Sequence, residues 1–171
     1  ESESKDSLFL PQIFNYNDMT DEFKNDDLIV SLDKLSESRF FQSLFNAINQ
    51  PMFSVLNAYK KAKTTPAFLS NQERVINERI KNIVTKRFNE LFGKNDKNGY
   101  DFEIRLEEHR ISFAAYKING EGVTDRDVLI LEQQSTGFKW FFNLYFNLLN
   151  GKILKSGDIV LMDEPAHNLS P

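Results

Sequence analysis

Polar and apolar residues alternate strictly from Tyr100 to Leu106, where Tyr100, Phe102, Ile104 and Leu106 interleave with Asp101, Glu103 and Arg105. The alternation resumes at Ile111, Phe113 and Ala115, after Glu107-Glu108-His109-Arg110. Period two puts every second side chain on one face, so these runs predict a β-hairpin with His109 solvated in its turn. Residues 70–92 follow a different period. Ile76, Ile80, Ile83, Val84, Phe88 and Leu91 fall on one helical stripe, with Arg74, Arg79, Lys81, Lys86 and Arg87 mostly off it. Ser70 with Glu73 forms a capping-box pattern at the start, and Gly93 is a natural residue just past the end. Two arrangements fit such a helix: an arm projecting from a globular head, or a helix packed along a sheet.

The remaining elements are shorter. Leu8 to Tyr16 is apolar with β-type residues, and Pro11 limits it to an edge strand or a strand start. Asn15 to Asp18 reads as a turn, and Leu28-Ile29-Val30 as a short extended piece followed by the cap residues Ser31 and Asp33. Leu35, Phe40, Phe41, Leu44, Phe45 and Ile48 recur at helical spacing up to Pro51. Met52, Phe53, Leu56 and Tyr59 predict a second helix, and Lys60, Lys61 and Lys63 suit its solvated C-terminal end. After a turn at 119–122, Val128 to Leu131 leads into a polar loop and an apolar helix from Trp140 to Leu149. The last apolar run, Ile159 to Met162, stands behind a turn signal at Gly157-Asp158, as a strand buried on both faces does.

Composition narrows the class. The chain has 171 residues, 40% hydrophobic and 27% charged, which suits one globular domain. Sixteen phenylalanines predict a core of bulky aromatic layers. A net charge of −4 argues against gripping nucleic acid over the whole surface, and the lack of Cys excludes disulfides, a thiol nucleophile and a Cys-based zinc site. No segment approaches a membrane span, so a cytoplasmic home without a membrane partner is expected. The first residue is not Met and no signal peptide is present, which points to a piece of a longer product.

The chemistry concentrates at the end of the chain. Asp163 and Glu164 follow the Ile159–Met162 run directly, and Pro165 follows them. Two acids at a strand end are costly unless exposed or given a cation. Upstream, Gln134-Ser135-Thr136-Gly137-Phe138-Lys139 opens an apolar helix. Small polar and glycine residues there form either a plain N-cap or a nest whose free N–H groups hold a phosphate.

In this order the two elements resemble the signature motif and Walker B strand of an ABC-type ATPase head, of the RecF/SMC-like and OLD-like group. The Pro11–Tyr16 segment is similar to one that precedes the helical part in that group. The resemblance implies an α/β fold belonging to a P-loop NTPase: a helical subdomain, an antiparallel hairpin sheet and a Walker B core strand. It divides the chain into a strand-rich opening at 1–33, a helical insertion or arm at 34–93, a hairpin region at 100–134, and signature helix, Walker B and D-loop at 135–171. It implies ATP and Mg2+ as cofactors, with Asp163 serving the metal and Glu164 acting as general base. It also implies that Ser135, Thr136, Gly137 and Lys139 contact nucleotide bound to a second head, and that Ala166, His167 and Asn168 belong to the D-loop. The implied partners are a second head, as a homodimer, and an attached nuclease or DNA-acting effector, as in DNA repair or phage defence. Ser170 and Ala166 depart from the usual D-loop residues. No G-x-x-x-x-G-K-[ST] stretch occurs in the sequence, so the chain alone is expected to be inactive. The rival is a non-catalytic dimerisation or interaction module derived from such a head.

Overall fold

The computed structural model describes residues 13–16, 22–62, 67–92, 99–118, 126–150 and 159–162. Strand β3 (Gly99–Leu106) and strand β4 (Arg110–Ile118) form the predicted antiparallel hairpin, with Phe102 opposite Ala115 and Ile104 opposite Phe113. The alternating apolar residues are buried on both strands, and on the opposite face Asp101 and Tyr116 are buried as well. Two short strands share the other edge of β4: β2 (Ile29–Ser31) pairs with Ser112 to Arg110, and β5 (Arg126–Val128) with Ile118 to Tyr116. The result is a mixed α/β fold with a four-stranded antiparallel sheet.

Helix α1 (Arg39–Ala47) and helix α5 (Thr136–Asn150) pack on this sheet through phenylalanines. The Phe40 ring lies 4.9 Å from Phe113 and 5.1 Å from Phe146 between centroids. Phe88 stands 4.9 Å from Phe102 and 5.2 Å from Tyr145, both nearly edge-on, the geometry that aligns ring edges with π faces. The aromatic core expected from composition is therefore present. Its boundaries differ from the sequence reading at α1. Leu35 sits in a separate short 3-10 turn, and Ser38, rather than Ser31 or Asp33, caps the helix by accepting from the Phe41 N–H at 3.3 Å. Asn49 closes α1 with a φ of 49°, a left-handed conformation that asparagine tolerates. Helix α2 (Met52–Ala62) follows, as predicted.

Of the two arrangements open for residues 70–92, the helix packs along the sheet. It comprises α3 (Ala67–Arg79), a π-helical turn (Ile80–Thr85) and α4 (Lys86–Phe92). Its side chains occupy the outer edge of β3. Asn89 accepts from the Tyr100 N–H and donates to the Tyr100 carbonyl, both at 2.8 Å. Thr85 Oγ1 accepts from the Phe102 N–H at 3.3 Å. Asn77 repeats the paired bonding at Ile104, at 2.7 and 2.9 Å, and Glu73 accepts from the Leu106 N–H at 2.7 Å. An open strand edge normally invites another strand. Here four side chains bond it instead.

This arrangement corrects two expectations. Helix α3 begins at Ala67, so Ser70 lies inside it and Glu73 bonds β3 instead of completing a capping box. Ile83 and Leu91 are 42% and 57% exposed, while Ile76, Ile80, Val84 and Phe88 are buried at a constant spacing of four. A regular helix drifts away from a four-residue repeat. The wider i→i+5 turn at 80–85 takes up that drift and rotates Ile83 and Leu91 outward.

A second sheet holds two strands. β1 (Ile13–Tyr16) runs parallel to β6 (Ile159–Met162), with Ile13 opposite Ile159 and Tyr16 opposite Met162. Ile13, Ile159 and Leu161 are 66%, 45% and 50% exposed, so the expectation that 159–162 is buried on both faces fails for this strand. Among the described residues, no helix is long and apolar enough to cross a membrane.

Candidate functional site

The start of α5 is built by three local choices. Leu131 is buried in a 3-10 turn, Leu131–Gln133, and the Gln134 N–H donates back to its carbonyl at 3.0 Å. Ser135 then leaves helical geometry and accepts from the Phe138 N–H through Oγ at 3.3 Å, as an N-cap. Phe138 points inward, 5.1 Å from Tyr100 and 5.6 Å from Phe92 between ring centroids. With its first apolar residue committed to the core, the turn leaves Ser135 and Thr136 exposed and Gly137 and Lys139 partly exposed.

This end suits an anion. The leading N–H groups of a helix lack intrahelical partners, and the Ser135 bond accounts for that of Phe138, so those of Thr136 and Gly137 remain to be satisfied from outside the helix. The first turn carries no acid, and Lys139 adds a positive charge one turn in. Ser135, Thr136, Gly137 and Lys139 are thus brought together on one helix start. Capping and phosphate contact are compatible roles for Ser135, since both use the outward side of the same turn.

A segment from the far end of the chain holds this start in place. The Asn25 side chain accepts from the Leu131 N–H at 3.1 Å and donates to the Glu132 carboxylate, which also accepts from the Asn25 backbone N–H at 3.1 Å. Two residues earlier, the buried Phe23 N–H donates to Asn143 Oδ1 at 2.6 Å, and Asn143 Nδ2 donates to the Lys139 carbonyl at 2.9 Å. Glu132, Lys139 and Asn143 line a small cavity of about 130 Å3 between the segment and the helix. The Asn25 N–H, and more weakly the Lys139 charge, hold the Glu132 carboxyl below its ordinary pKa. A wider, open cleft of about 690 Å3 lies beside the same segment, between Asp26, Asp27, Lys34, Glu37 and Arg39. Its mixed charges and openness mark a solvated groove.

The other half of the expected site is placed only up to its threshold. Strand β6 ends at Met162, and Asp163, Glu164, Ala166, His167 and Asn168 lie outside the described residues. Among the described residues there is no group of three or more His, Cys, Asp or Glu able to hold a metal ion. His109, expected in the hairpin turn, is exposed there beside Glu108.

Asn25, Glu132 and Asn143 were not singled out by the sequence reading. Asn25 and Glu132 look like solvated surface residues and Asn143 like a polar position within a helix, and nothing local marks a bond across more than a hundred residues. The β3-edge residues left a clearer trace: Asn77, Thr85 and Asn89 each follow a buried stripe residue by one position. No protein-family model, curated protein or solved structure matches this chain.

Proposed function

We propose that this chain is the signature and Walker B half of an ABC-type ATPase head of the RecF/SMC-like and OLD-like group, completed by a P-loop elsewhere in the protein. The observation that carries the reading is topological. Strands 13–16 and 159–162 pair in parallel, and parallel neighbours require a crossover connection. The whole aromatic body is spliced into that crossover, and it presents an acid-free, serine-capped helix start before the return strand leads into Asp163-Glu164. Such a parallel pair is the minimal trace of an open α/β core, in which ligands gather beyond the carboxyl ends of the strands.

In this reading the work is divided between two heads. Mg-ATP, held by one head, supplies the phosphoanhydride and the charge-neutralising metal. Ser135 and the N–H groups of Thr136 and Gly137 contact the terminal phosphate held by the other head, and Lys139 adds positive potential. Asp163 would hold the magnesium, which would neutralise charge on the phosphates. Glu164 orients the attacking water and accepts its proton as the bond to the terminal phosphorus forms and the β–γ bridge breaks. Ala166, His167 and Asn168 would belong to the D-loop. Turnover then resets a clamp or controls an attached nuclease or DNA-acting effector. The chain alone binds ATP weakly and does not turn it over, because most phosphate contacts in this class come from the P-loop.

A second reading is a degenerate head kept for dimerisation, which the lack of a P-loop anywhere in the complete protein would favour. One set of variants of the complete protein separates the two, by sizing chromatography with and without Mg-ATP beside a turnover assay. Glu164→Gln should keep ATP-driven dimerisation and lower turnover by about 100-fold or more. Asp163→Asn should demand far more magnesium for the dimer, and Ser135→Arg should block dimerisation with ATP binding intact. Normal turnover in Glu164→Gln overturns the catalytic assignment. Normal dimerisation in Ser135→Arg overturns the signature assignment.

A further inference from the structure

We propose that Asn25 and Glu132 form a positioning clamp that sets the Ser135 loop for its contact with nucleotide on the partner head. The inference rests on the signature reading above and adds residues that the reading does not contain. Three bonds converge on two adjacent residues: the Asn25 amide oxygen takes the Leu131 N–H, and the Glu132 carboxylate takes both the Asn25 amide N–H and the Asn25 backbone N–H. Leu131 and Glu132 stand only four and three positions before Ser135, in the 3-10 turn whose carbonyl receives the Gln134 N–H. The direction of the Ser135 loop therefore follows the position of Asn25.

Asn25 is itself placed from two sides. Phe23, two residues before it, is buried against Phe40 at 5.2 Å between ring centroids and donates its N–H to Asn143 on the second turn of α5. The segment thus grips α5 at Asn143 and the preceding turn at Glu132, leaving the helix start little room to rock. In sequence it also follows Tyr16, whose strand pairs in register with the strand leading into Asp163. A loop that must reach a ligand across a subunit interface gains from being held in advance, since ordering it at the moment of contact would weaken closure.

The polarity of the clamp supplies its test. Asn25→Asp sets a second carboxylate against Glu132 and removes the donor. Glu132→Gln sets an amide donor against the Asn25 amide donor. The double variant Asn25→Asp/Glu132→Gln restores the three bonds with the side-chain pair reversed. Its introduced carboxylate still accepts from the Leu131 N–H and now accepts from the introduced amide, whose oxygen remains available to the backbone N–H of the clamp segment. ATP binding by the monomeric complete protein and Mg-ATP-driven dimerisation are measured separately. Asn25→Asp should raise the half-maximal Mg-ATP for dimerisation about tenfold with ATP binding unchanged, and the double variant should return it to within about twofold of wild type. Thermal melts run alongside. A fall in melting temperature with dimerisation unmoved would reduce the pair to a structural tie and overturn the proposal. Failure of the double variant to restore dimerisation overturns it too. Ser135→Arg is the control on the underlying reading. If it blocks dimerisation while Asn25→Asp does not, the clamp is wrong and the signature assignment stands; if neither has any effect, the signature assignment itself fails.

Discussion

The aromatic body and the parallel strand pair solve the same problem to different degrees. In the body, the apolar face of the hairpin is covered by phenylalanines from α1 and α5, and the outer edge of β3 is bonded by Glu73, Asn77, Thr85 and Asn89. In the pair, Ile13, Ile159 and Leu161 remain about half-exposed or more, on strands of a type normally covered on both faces. The body covers the hairpin face and the β3 edge with its own side chains, while Ile29 and Val128 on its short strands stay exposed. The pair leaves these three side chains uncovered.

The largest expected effect lies at the centre of the body. Phe88 is fully buried and meets the rings of Tyr100, Phe102, Phe141 and Tyr145, so Phe88→Ala should cost about 3–5 kcal/mol in denaturant melts. A cost under about 1 kcal/mol would show the cluster to be loosely packed. At the sealed edge, Asn77→Ala removes both partners of Ile104 and should cost about 1–3 kcal/mol, with amide exchange accelerated first at Ile104. Unchanged exchange there would show that the edge is protected by other means.

Tyr145→Phe should cost about 1 kcal/mol, because the hydroxyl donates to the buried Val84 carbonyl at 2.9 Å. The same group gives a pH test. Burial, reinforced by Glu90 and opposed by Arg87, pushes the Tyr145 phenol up to about 12, and burial does the same for Tyr59, reinforced by Glu107 and Glu73. A raised pKa means that the fold favours the protonated phenol. The contribution is complete below the ordinary value near 10 and is lost as pH rises towards about 12. Melting temperature should therefore fall across that window, and fall less steeply in Tyr145→Phe; equal slopes would remove Tyr145 from the account. The smallest effect belongs to the strand pair. Ile159→Ala should change the stability of this chain by less than about 0.5 kcal/mol. A loss approaching that of Phe88→Ala would erase the contrast between the two regions.

How much of this was legible follows from the range of each interaction. The hairpin could be read because period two is local and survives in any context that buries one face. The Ile159–Met162 strand could be read from its unbroken apolar run, although its exposure could not, since that depends on what lies against it. The helix from Ala67 departs from its sequence pattern in two places. The Ser70–Glu73 pattern at its start loses to a bond between Glu73 and Leu106, thirty-three residues away. The stripe through Ile83 and Leu91 assumes a regular period across a turn that is not regular. At the candidate site, the small residues of the helix start were visible from Ser135 to Gly137. The Asn25–Glu132 bonds span 107 positions and left no local signal.

The bonding of β3 by its helix also orders events in time. The partners lie 11, 17, 27 and 33 residues apart, from Asn89–Tyr100 outward to Glu73–Leu106. Once the innermost bond forms, each later one closes only a small additional loop, so the seal can run shut like a zip from the α4 end. The bonds from Phe23 and Asn25 to α5 join positions more than a hundred residues apart, and their loop becomes short only after β2 has paired with β4. Loop lengths alone thus predict that the β3 edge is covered before the Ser135 loop is set, an order that pulsed amide exchange would read as earlier protection at Tyr100 than at Leu131.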